Sequence, residues 1–97
     1  MFGATLGRFR ALVRSGDYLL SIHALEEMAD DDLFTEDVEQ VILAGQIVER
    51  QIDRVTQERK YVFLGRDLSG NFVGLVAKIG VLGKAVIITV YREEGLL

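Results

Sequence analysis

The groups in this 97-residue chain that could do chemistry are few: a single histidine, a Tyr-Arg pair closing an apolar run, and scattered cations. His23 is the only imidazole, and an unperturbed pKa near ~6.5 suits it to proton transfer at neutral pH. Tyr91 and Arg92 end the run that begins at Ala85, where a sheet can present side chains at its rim. Arg59, Lys60 and Arg66 supply positive charge upstream. Metal-free RNA cleavage needs these types: a group to activate the 2′-hydroxyl, a donor for the leaving oxygen, and cations that favour charge on the phosphoryl group. His23, Tyr91 and Arg92 are therefore the candidate catalytic set, and Arg59, Lys60 and Arg66 the candidate phosphate- or RNA-binding set.

Each also has a plainer reading. His23 beside Ser21 fits a helix-start residue paired with Glu26 or Glu27. Tyr91 fits a half-buried sheet residue whose hydroxyl reaches a partner, and Arg92 a solvated strand end.

Other chemistries lack their patterns. The chain has no cysteine, so disulfides and thiolate chemistry are excluded. Asp30, Asp31 and Asp32 are consecutive, and side chains at i, i+1 and i+2 of a helix do not converge on a metal. Gly80-Val-Leu-Gly83-Lys84 lacks the spacing of a phosphate-binding loop. Neither a metal nor a cofactor is expected, and no glycosidase or Ser-His-Asp signature is present.

The elements that must position these groups follow from side-chain rhythm. Phe2, Leu6, Phe9 and Val13 recur at helical spacing and predict a helix over about 3–14, ended by Ser15-Gly16-Asp17. Tyr18 to Leu20 reads as a short apolar approach or a bridge of extended chain. Ser21 caps a second helix over about 22–31, with Ile22, Leu25 and Met28 or Ala29 inward and His23, Glu26, Glu27 and Asp30 toward water. Thr35 caps a third helix, with Glu36 and Asp37 in its first turn, Val38, Val41 and Ile42 buried, and Gly45 at C′.

After Gly45 the period changes to that of strands: 47–51, 60–66, 72–79 and 84–92. The last three form an antiparallel meander, because their connections are too short for parallel crossovers. Residues 93–97 read as a frayed tail or a capping piece. The expectation is an α+β fold, three N-terminal helices packed on a four-stranded, mostly antiparallel sheet. It forms one domain over 1–97, helical to about 45 and sheet from about 46 to 92. In the last strand Val86, Ile88 and Val90 face one side and Ala85, Ile87, Thr89 and Tyr91 the other. Both sides are largely apolar, so the strand is central or meets a partner, and a homodimer is one such arrangement.

Charge divides the chain. Residues 1–45 hold 3 Arg against 9 acids, net −6; residues 46–97 hold 8 Lys plus Arg against 6 acids, net +2. An RNA surface must therefore lie on the sheet side. No apolar run reaches the roughly 18 residues of a membrane span, and arginines interrupt the start, so cytoplasmic residence without membrane contact is expected.

Four segments carry a family resemblance: Tyr18 to Met28 with its Ser21-Ile-His23-Ala24 core, Thr35 to Gly45, Tyr61 to Arg66, and Val86 to Tyr91. Their order and spacing resemble a widespread family of small bacterial domains grouped with the RelE-like and BrnT-like toxins. The resemblance implies helices packed on a small antiparallel sheet, and endoribonuclease toxicity checked by a partner antitoxin. In that pattern arginines commonly stand four and eight residues after the histidine; here Glu27 and Asp31 occupy those positions. That substitution reverses the field around His23.

The first reading is consequently a degenerate or specialised toxin-fold protein that acts through protein contacts, with an antitoxin or another protein as partner. The second is a metal-independent endoribonuclease using His23 and Arg92. The third is a non-catalytic RNA-binding module built on Arg50, Arg54, Arg59, Lys60 and Arg66, with Tyr61 and Phe63 nearby.

Overall fold

The computed structural model describes residues 1–94; residues 95–97 of the expected tail lie outside the described residues. Three helices, α1 (Gly3–Arg14), α2 (Ile22–Asp30) and α3 (Thr35–Ala44), pack on a sheet of five strands, not four. The additional strand is β1 (Tyr18–Leu20), which pairs in parallel with the last strand, Tyr18 opposite Ala85 and Leu20 opposite Ile87. The others are β2 (Gln46–Ile52), β3 (Arg59–Arg66), β4 (Phe72–Ile79) and β5 (Ala85–Arg92). They form the predicted antiparallel meander, extended by β2, and the spatial order is β1-β5-β4-β3-β2. β5 is thus flanked by β4 along its length and by β1 over Ala85 to Ile87.

A bulge at Ile88 interrupts the alternation in β5, since Thr89 opposes Val76 while Ile87 opposes Ala77. The residues buried under the helices are Ala85, Ile87 and Val90, a set that simple alternation divides between two faces. Phe9 of α1 sits edge-on to Tyr61 and Phe63 of β3, with ring centroids 5.7 and 5.1 Å apart, and anchors this inner layer. The opposite face of the sheet carries Val62, Leu64, Phe72, Val76, Val86 and Tyr91, all half-buried, and among the described residues no helix lies on it.

The helix ends explain the elements between them. Phe34, not Thr35, is the N-cap of α3, and its N–H donates to Asp37 Oδ2 at 2.9 Å. Asp32 adopts φ 53° after α2 while Leu33 N–H donates to Met28 O at 2.8 Å, so α2 ends in a left-handed turn occupied by aspartate. Gly45 is the C-cap of α3 in extended backbone, φ −86°, rather than a left-handed C′ residue. Its need is for space: a Cβ there would lie 3.0 Å from Gly65 Cα and collide with the Val41 and Leu64 carbonyls. Arg10 of α1 closes the same end, donating from Nε to Ile42 O at 3.0 Å and from Nη2 to Gly45 O at 2.8 Å.

Candidate functional site

Three residues are too few for β1 to cover the whole length of β5. Past Ile87 the outward backbone groups of β5 have no strand beside them, and α2 supplies their partners instead. Ser21 N–H donates to Ile87 O at 3.0 Å. The Ser21 hydroxyl donates to Ile88 O at 2.7 Å while accepting from Ala24 N at 3.0 Å as the N-cap. Two turns of helix later, Glu27 Oε1 accepts from Val90 N at 3.0 Å and from the Thr89 hydroxyl. A capping serine and an inward-reaching glutamate therefore continue the edge that a strand would otherwise form.

His23 lies one turn before Glu27, with Nε2 3.2 Å from the same Oε1. Its side chain is 66% exposed. Placing the ring proton on Nε2, toward the carboxylate, leaves Nδ1 as a solvent-facing acceptor. A carboxylate-oriented imidazole is the geometry of a general base. Around it, however, the exposed charged residues of α2 are Glu26 and Asp30, which disfavour an approaching phosphate.

Arg92 is committed elsewhere. Its Nε and Nη2 donate to Asp31 O at the end of α2, at 3.1 and 2.8 Å, and Nη1 lies 3.0 Å from Asp67 Oδ2. Asp67 is buried, and its other oxygen accepts from Ser69 N and Asn71 N at 2.9 Å each in the β3–β4 turn. Burial pushes this carboxyl upward, but the Asn71 and Ser69 amides and Arg92 outweigh it and hold the pKa below the ordinary value of 3.8. Asp37, also buried, caps α3 with one oxygen and accepts Leu68 N at 2.9 Å with the other. Arg92, Asp67 and Asp37 together tie the α2–α3 connection to the β3–β4 turn.

The remaining predicted residues are apart. Tyr91 lies on the outer sheet face with its ring across Gly74, where an added Cβ would have to displace the ring. Burial, then the charges of Glu93 and Glu49, raise its pKa above the ordinary 10.0. Tyr91 and Arg92 thus leave β5 on opposite faces, and the helical rise separates His23 from the Asp31 position that holds Arg92 by roughly 12 Å. Arg59 and Lys60 start β3 and Arg66 ends it, roughly 20 Å away along the strand. Arg66 stacks over Phe72 at 4.4 Å. Tyr61 and Phe63 are buried under α1 and have no free face for a base.

Sequence reasoning named Glu27 as a partner of His23 and Asp37 as a first-turn acid, but missed the long-range ties made by Glu27, Asp67, Asp37, Arg10 and Tyr18. The Tyr18 hydroxyl donates to Glu39 at 2.6 Å, and burial followed by that carboxylate pushes its pKa up to about 12. An acid three residues after the cap was a readable signal for Asp37, and the Asp-x-Ser-Gly-Asn turn was one for Asp67; the other three bonds span the chain.

The inward face of α2 also differs from expectation. Ala24 and Met28 are buried, while Ile22 is 76% and Leu25 48% exposed. Glu27 takes the inward position beside them, which rotates the apolar residues outward. Phe34, three residues beyond the C-cap, is 68% exposed. Elsewhere a cavity of about 520 Å³ beside the β4–β5 turn is lined by Leu19, Lys78, Ile79, Val81, Leu82 and Val86 among others, and by none of the predicted site residues. Among the described residues no three His, Asp or Glu are grouped to hold a metal, and no helix is long and apolar enough to cross a membrane.

These features define a small α+β domain whose second helix completes a sheet edge. Residues 20–92, 73 of the 97, match the family model described as Domain of unknown function (DUF4258). The chain belongs to that family, and the matched region runs from β1 through Arg92, so it contains the whole α2–β5 junction. Neither the curated proteins nor the solved structures gave a match.

Proposed function

We propose that this protein acts through protein contacts, as a degenerate or specialised relative of the RelE-like toxins, with an antitoxin or another protein as its partner. The observation that carries the reading is the outward face of α2, where Ile22 and Leu25 stand in solvent beside acids, with Phe34 exposed in the turn that follows. Exposed apolar side chains of this size mark an interaction surface more readily than a catalytic one. The separation of His23, Tyr91 and Arg92, and the engagement of Arg92 by Asp31 and Asp67, support the same reading. Its test is genetic and direct: in the host, Ile22→Ser/Leu25→Ser abolishes the protein's effect while His23→Ala preserves it. The opposite pattern defeats the proposal.

A metal-independent endoribonuclease is the second reading, favoured by the exposed His23 ring held against Glu27. RNA binding without catalysis is favoured less. Arg50, Arg54, Arg59 and Lys60 lie toward the β2–β3 connection and only Arg66 stands at the far end of β3, but the aromatic rings Tyr61 and Phe63 are in the core.

A further inference from the structure

We propose that the α2 face receives a basic amphipathic helix from a partner protein, an inference that rests on the protein-contact reading and specifies the partner's chemistry. Two observations carry it. First, the exposed residues Ile22, Leu25 and Ala29 recur at i, i+3 and i+7, so at 100° per residue they fall in one stripe about 60° wide along α2, bordering the buried Met28. A ridge with this spacing matches the apolar stripe of a second helix packed along it. Phe34 extends the apolar surface past the helix end.

Second, the exposed charge that α2 and the turn after it carry is acidic, and the one cation held at the helix end, Arg92, is engaged by Asp67. Between Arg14 and Arg50 the chain contains no lysine or arginine, but it contains the ten acids Asp17, Glu26, Glu27, Asp30, Asp31, Asp32, Glu36, Asp37, Glu39 and Glu49. Glu27, Asp37 and Glu39 are engaged internally, whereas Glu26 and Asp30 are exposed along one side of the ridge and Asp32 and Glu36 are exposed in the segment that follows α2. A second copy of this chain would bring the same acids to the same place, so the face is self-repelling. RNA is repelled for the same reason. A helix carrying Leu-type residues on one side and Lys or Arg at their flanks satisfies both the apolar ridge and its acidic border.

The probe is an 18-residue helical peptide with leucines at i, i+3, i+7 spacing and lysines flanking them. It is compared with a Glu-for-Lys counterpart and with a scrambled peptide of identical composition. Binding to the full chain is followed by fluorescence anisotropy, and the contact is mapped by amide chemical shifts. Expected are saturable binding of the basic amphipathic peptide and shifts confined to α2 and the Phe34 turn. Affinity falls about tenfold or more for Leu25→Ser and again on raising salt from 0.1 to 0.5 M. Glu26→Lys/Asp30→Lys, which touches only exposed positions, transfers preference to the acidic peptide and serves where Leu25→Ser disturbs folding.

Equal binding of the scrambled peptide overturns the inference, because charge alone then suffices. Shifts mapping to the outer sheet face, or preference for the acidic peptide, also overturn it while leaving the protein-contact reading standing. Absence of peptide binding combined with His23-dependent RNA cleavage overturns both.

Discussion

Glu27→Ala is the substitution that separates a helix completing a sheet edge from one merely resting beside it. In the wild type a single oxygen, Oε1, accepts from Val90 N–H, the Thr89 hydroxyl and His23 Nε2. Truncation leaves a backbone donor and a hydroxyl of β5 without their acceptor, at a place that β1 is too short to reach. Hydrogen bonds to a charged acceptor contribute about 1.5–3 kcal/mol each. The Glu27 side chain is 26% exposed, so water can recover part of the loss and the lower end applies. The expected destabilisation is about 3 kcal/mol, which for a domain of this size lowers Tm by roughly 12–20 °C. Glu27→Gln keeps an acceptor and costs about 1 kcal/mol. His23→Ala removes only an exposed partner and stays within about 0.5 kcal/mol of wild type. Urea denaturation of the three variants, with amide exchange of Val90, decides the matter. Glu27→Ala unfolding within 0.5 kcal/mol of wild type, with Val90 still protected, would refute the reasoning.

Four further outcomes follow from the contacts. Asp32→Gly relieves a non-glycine residue in the left-handed turn after α2 and raises stability by about 0.5–1 kcal/mol, measured by urea midpoint. Gly45→Ala forces a Cβ against backbone on two sides and costs more than about 2 kcal/mol by the same assay. Asp67 has a folded pKa below its ordinary 3.8, so its contribution to stability is complete above about that pH and is lost as pH falls through the lower folded value. Asp67→Asn therefore flattens the fall in stability below pH 4, followed by thermal melts from pH 2 to 6. Tyr18, raised to about 12, stabilises the fold fully below pH 10 and loses that contribution as pH rises toward 12. The ultraviolet difference titration between wild type and Tyr18→Phe should show a midpoint about two pH units above a free phenol.

Much of the scaffold was legible because its signals are local. The apolar spacing of Phe2, Leu6, Phe9 and Val13, the capping hydroxyl of Ser21 and the short connections between the last three strands each act within a few residues. β1 was legible only as a short apolar approach or bridge of extended chain, because a three-residue strand has almost no period and its parallel partner lies 67 residues further along the chain, Tyr18 against Ala85. That pairing also fixed which way α2 faces. With Ser21 bonded to β5, Glu27 falls inward and Ile22 turns out, an outcome the helical pattern alone ranks the other way. The bulge at Ile88 similarly left no mark in a run of apolar residues that tolerates either phase. For the candidate site, residue types were readable, but convergence was not. Arg92 finds Asp67 and Asp31 only after β3, β4 and α2 have assembled.

RNA cleavage by the purified protein, wild type beside His23→Ala and Arg92→Ala, most directly tests whether contact rather than catalysis is its work. With single- and double-stranded substrates and no added metal, the account predicts no cleavage above the buffer control by any of the three. Turnover by the wild type that disappears with His23 would contradict it.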